Sequence, residues 1–190
     1  MGAVERQAVP DPGEPAVPAG EGAMAGLFWV DGKGCLLGAP PLRDGTGIRL
    51  TDAGLEVFGT ETGSWTWEQV ERVTVVDAPV RSAFRRGLST ALSFATTAAG
   101  FGGPEEPPLM TVRVTLAEGE RAYEVPSAAW PAYSEREVAL SHRLLDRFTS
   151  GAARPSLLTG WWRVSDCPVA LRPAEREALL EELLERWAGR

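Results

Sequence analysis

The chain has 190 residues, 44% of them hydrophobic, enough for one domain with a true core plus attachments. Its net charge of −7 excludes a broad basic face for nucleic acid. The two cysteines, Cys35 and Cys167, show no Cys-x-x-Cys spacing, which excludes a disulfide framework and predicts reduced, buried thiols.

Residues 1–23 are rich in Pro, Gly, Ala and Glu and have no periodicity, so a disordered tail is expected there. No basic segment followed by an apolar run is present, so no secretory signal is expected and a cytoplasmic location follows. Lys33 is the only lysine, and every other basic side chain is arginine. With the abundance of Ala, Gly and Pro, this is the composition of a GC-rich bacterial genome, and it lowers the weight of any arginine pattern.

Strands are expected from residue 27 onward. Residues 27–30 are apolar, Asp31 and Gly32 form a strong hairpin-turn pair, and residues 35–37 return. Residues 39–45 carry two prolines and an Asp-Gly pair and read as a loop. The most informative run is 47–76. It reads as strands at 47–50 and 55–59, a turn at 60–63, a Trp65/Trp67 pair on one strand face, and a β-branched strand at 70–76. Residues 110–116 alternate cleanly as a half-buried strand, and Glu118 and Gly119 turn it into 121–125.

Ser134 and Glu137 have the spacing of a capping box, and Leu140, Leu144, Leu145 and Phe148 then share a helical face that Gly151 terminates. Residues 153–169 read as irregular, with Trp161 and Trp162 the one prominent feature and one of the pair a candidate contact residue. Pro173 suits the first turn of a second helix, on which Leu179, Leu180, Leu183, Leu184 and Trp187 make an apolar stripe.

The run from Ile48 to Val57, followed by Trp67, Val70 and Val73, resembles the bacterial pleckstrin-homology-like (PH-like) pattern: a strand, a Thr-Asp-x-x-Leu turn, a strand, and a Trp-x-x-Val approach to the next. The chain is also similar to actinobacterial proteins of this length. The resemblance covers residues 27–148. It implies an α+β, mainly β fold: a PH-like antiparallel barrel closed by an amphipathic helix. The expected organisation is a tail at 1–23, a PH-like domain at 24–150 with a helical insertion at 79–108, and an extension at 151–190 with an extra C-terminal helix. PH-like domains bind phosphoinositides, proteins or peptides. The first hairpin here offers only Lys33, with Arg43 on the next loop, which is too little charge for several phosphates.

Enzyme chemistry is not expected. The single histidine, His142, falls off the apolar helix face and is predicted to be exposed and inert. Neither cysteine lies near it in sequence, no metal-ligand spacing occurs, and the glycines at 100, 102 and 103 lack the lysine of a phosphate loop. No catalytic residue, metal or cofactor is therefore assigned. The candidate interaction residues are Arg81, Arg85 and Arg86, with Leu88, Leu92 and Phe94 on the uncharged stretch that follows. The expected function is a non-enzymatic binding module that docks a protein partner or self-associates, through this insertion or the last helix. The alternative is a peripheral membrane adaptor, with the arginines on anionic headgroups and the apolar residues inserted. No nucleic-acid partner is expected.

Overall fold

A computed structural model describes residues 22–41, 45–81, 107–129, 132–165 and 171–188. It is α+β and mainly strands, with two antiparallel sheets and three helices among the described residues. The first sheet is a six-stranded meander: β1 (Gly22–Ala25), β2 (Phe28–Asp31), β3 (Gly34–Leu37), β4 (Thr46–Leu50), β5 (Gly54–Gly59) and β6 (Gly63–Thr66). The second holds β7 (Val70–Val76), β8 (Leu109–Leu116) and β9 (Gly119–Pro126). Side chains at alternate positions face inward. One cross-strand row of the first sheet runs Ala25, Phe28, Leu37, Ile48 and Val57, and all five are buried. Core residues from both sheets and all three helices form one cluster.

The first strand corrects the sequence reading. Gly22 and Ala23 fall within the expected tail, yet they belong to β1 and pair with Asp31 and Val30. Composition hid this strand, because Gly-Ala-Met-Ala has no β-branched residue. Gly22 suits the position for another reason: a Cβ there would run into the Trp29 indole, which lies across the neighbouring strand.

The turns use local side chains. Asp31 Oδ1 accepts from Lys33 N (2.7 Å) and Gly34 N (3.0 Å), and Gly34 supplies the unusual backbone at φ +144°. Between β4 and β5, Thr51 and Gly54 bond each other through their backbones, and Thr51 Oγ1 reinforces the turn.

Among the described residues no strand ladder joins the two sheets, so strand pairing does not close the expected barrel. After β6 the chain makes two tight backbone turns at Thr66–Gln69 and Trp67–Val70, and Gln69 Oε1 takes the Thr66 N–H at 2.9 Å. The sheets are instead tied by Ala39 N donating to Pro126 O (2.7 Å) and by Trp65 packing on Tyr123.

Helix α1 (Glu135–Thr149) has the predicted capping box. Ser134 Oγ accepts from Glu137 N (3.0 Å), and Glu137 Oε2 accepts from Ser134 N (2.8 Å). Gly151, at φ +72°, ends it. α1 packs on β7 on one flank and on α3 (Pro173–Ala188) on the other, and α3 also touches β1. Leu180, Leu183 and Leu184 of α3 are all buried. The leucines of the last helix are thus spent inside the molecule and do not form a free docking face.

The stretch read as irregular contains α2 (Ser156–Val164), which packs on β2 and β3. Its N-cap residue is Pro155, which has no capping side chain. Asp52, in the β4–β5 turn, caps it from afar, with Oδ1 accepting from Ser156 N at 2.9 Å. Asp52→Ala is expected to cost about 0.5–2 kcal/mol, the usual value of a helix cap. Urea unfolding reads the loss, and amide exchange should show it concentrated in the first turn of α2. Uniform loosening would mean the cap is not holding the helix.

Candidate functional site

The chain between β7 and β8 starts and ends at neighbouring points of the sheet. The two strands are direct partners, with Val76 opposite Thr111, so the segment replaces what could be a short hairpin loop. After β7 the chain turns at Asp77, whose φ of +58° is the one positive value among the described non-glycine residues. Residues 79–81 then run beside Tyr133. Tyr133 N donates to Pro79 O (2.7 Å), and Arg81 N donates to Tyr133 O (3.0 Å). On the return side, Ser127 N donates to Pro108 O (2.8 Å). Both flanks are therefore fastened between β9 and α1, at Ser127 and Tyr133.

Tyr133 anchors this junction. Its side chain is fully buried, and its hydroxyl accepts from Ala128 N at 3.0 Å. Burial pushes the phenol above its ordinary range, against the pull of its contacts with Ser127 and the Ala128 and Ala129 backbone. It is a neutral strut at physiological pH. Nothing in its local sequence marks it out, because its role depends on a parallel contact with Val80, 53 positions earlier.

Of the predicted interaction residues, Arg81 is exposed at the base of the excursion. Arg85, Arg86, Leu88, Leu92 and Phe94 lie outside the described residues, as do most of the tail and the predicted insertion helix.

The groups with chemical potential elsewhere are engaged structurally. Cys35 is buried, and its thiol is pushed far above its ordinary value by desolvation and by the nearby Asp31 charge, so it is no thiolate. Cys167 lies outside the described residues. His142, expected to be exposed, is half-buried, and its Nε2 accepts from Val75 N at 3.0 Å. Glu137 is fully buried and pairs with Arg176. Ser141 Oγ accepts from Leu27 N (3.1 Å) and donates to Glu137 O (2.7 Å).

The described tryptophans are partly buried, and Trp65, Trp67, Trp161 and Trp162 pack against the core from its margin. Trp65 and Trp67 do not act as a pair. Trp65 meets Tyr123 of β9, whereas Trp67 packs on Phe148 of α1 and donates Nε1–H to Thr51 O (2.9 Å). Trp161 and Trp162 are both half-buried on α2. A helix turns successive residues by about 100°, so adjacent tryptophans can both graze the core, an option a strand denies them. Leu157 is partly exposed on the same helix, and Val164 is 86% exposed at its end.

Among the described residues no group of three His, Cys, Asp or Glu side chains converges as a metal site, and no helix is long and apolar enough to cross a membrane. Comparison with protein-family models, curated proteins and solved structures returns no match to this chain.

Proposed function

We propose that the protein is a non-enzymatic binding module of PH-like architecture that docks a protein partner or self-associates through the segment rooted at Arg81. Two antiparallel sheets followed directly by an amphipathic helix support the architecture. The observation that carries the docking reading is the double anchoring of that segment: residues 79–81 on Tyr133 and Pro108 on Ser127. A rigid scaffold that holds both ends of a long connection at one place is the usual way a fold displays a binding loop. The buried Glu137, Tyr133 and Ser141 and the half-buried His142 all bond backbone or a structural partner, which supports a scaffold in preference to a catalytic pocket.

Two experimental arms test this. Sedimentation equilibrium and affinity capture from the native host compare the full chain with one lacking residues 82–104. The docking reading expects the deletion to abolish self-association or to lose the same partner in replicate captures, with the fold retained. Identical behaviour of the two chains counts against it. Vesicles rich in phosphatidylserine at low salt supply the second arm. The chain is expected to remain in the supernatant. Vesicle binding that disappears in Arg81→Ala/Arg85→Ala/Arg86→Ala would replace the docking reading with the membrane adaptor.

A further inference from the structure

His142 is the only histidine of the chain, and its ring leaves α1 sideways, off the apolar stripe, to meet β7. Among the described residues β7 has a strand partner, β8, on one side only. α1 lies along the other. An edge strand presents backbone donors that need an acceptor, and His142 Nε2 supplies one to Val75 N–H at 3.0 Å. That bond requires a lone pair on Nε2, so the ring is neutral and carries its proton on Nδ1. A second proton would set two N–H donors face to face.

The surroundings favour the neutral ring. Burial holds His142 below the ordinary imidazole range, opposed by the contact with the Val75 backbone and by the charge of Asp146 one turn further along α1. From β7 the ring meets the backbone of Val75, while Glu71 and Arg72 of that strand, and Asp77 beyond it, are exposed. From α3 the charged groups that reach α1 are Arg176, Glu177 and Glu181, which engage Glu137, Ser134 and Arg136.

We propose that His142 is a pH-sensitive latch, in which the neutral ring fastens α1 to the edge of β7 and the imidazolium releases it. Val75 lies two residues before Asp77, where the chain leaves the sheet towards Arg81. Release therefore loosens the scaffold at the base of the displayed segment, whatever that segment binds. The sign follows from linkage. The folded state holds the ring less protonated than the unfolded chain does. Stability tied to the buried neutral ring is complete above the free imidazole value of about 6.5, and it is lost as pH falls through the lower folded value.

The test uses the full chain and NMR. The lone histidine makes its ring C–H signals unambiguous, and hydrogen exchange at Val75 is referred to the intrinsic chemical rate at each pH. Acidification through the ring titration should lower Val75 protection roughly tenfold or more, the scale of a buried donor losing its acceptor. His142→Gln keeps an acceptor that does not titrate, so its Val75 protection should stay level over the same range. A ring that titrates while the Val75 amide is unmoved overturns the latch. So does a ring that stays neutral until the whole protein unfolds, or equal loss of protection in His142→Gln. If that variant does not fold, the wild-type ring and amide titrations decide alone.

Discussion

Arg176→Met is expected to lower the unfolding free energy by about 3–5 kcal/mol, the cost of leaving a buried charge without its partner. Glu137 is fully buried, and the Arg176 side chain is 8% exposed. The carboxylate divides its oxygens between two tasks. Oε2 accepts the Ser134 N–H that starts α1, and Oε1 faces Arg176 Nε. The guanidinium also donates from Nη1 to Leu171 O at 2.5 Å, which pins the first turn of α3. With methionine at 176, Oε1 loses its donor and the chain before α3 loses its tie. The double variant Glu137→Met/Arg176→Met should recover most of the deficit, because two apolar side chains can pack where two ions stood. It will fall short by the capping bond and by the lost tie to Leu171 O, each worth about 1 kcal/mol. Urea unfolding at fixed pH followed by tryptophan fluorescence gives all the values. A single-variant cost below about 1 kcal/mol would place the pair among solvated surface ion pairs and remove it as the clamp between the two helices.

That clamp shows why some of this structure could be read in the sequence and some could not. Ser134 and Glu137 were legible as a capping box because both partners lie within one helical turn. Arg176, 39 positions away, carries no local sign that it answers the same carboxylate. Strands β4, β5, β7 and β8 were legible because a buried face imposes a period of two. β1 was not, since its place depends on pairing with β2 and on the space Gly22 leaves for Trp29. α2 was missed because its capping oxygen belongs to Asp52, 104 positions earlier, and a helix containing Gly160 behind Pro155 has weak intrinsic propensity. His142 was misplaced for a geometric reason. An apolar stripe marks one packing surface, but α1 packs against both β7 and α3, and its covered arc is wider than its apolar one. Of the candidate site, Arg81 was legible as a residue, while its anchor Tyr133 was not, because a parallel contact leaves no pattern in either segment.

Gly26→Ala is expected to destabilise the protein by about 2–5 kcal/mol, combining left-handed backbone strain with the loss of a buried hydrogen bond. Gly26 turns the chain between β1 and β2 at φ +60°. A Cβ there would collide with Ser141 Oγ and stand 2.7 Å from Leu180 Cδ1. Ser141 cannot simply turn away, since its hydroxyl holds Leu27 N–H and Glu137 O together. Leu180 is fully buried and has little room to retreat. Three elements that meet at this turn would have to separate: the β1–β2 hairpin, α1 and α3. Gly151→Ala provides the control. Its φ is +72°, but a Cβ there meets nothing within 4 Å, so it carries the backbone strain alone, about 1–2 kcal/mol. The difference between the two variants measures the junction itself. Equal costs would mean that α3 does not press on the hairpin in solution. A larger cost at Gly26, with amide exchange rising at Leu27 and along α3, would show that the last helix is part of the domain and not an appendage to it.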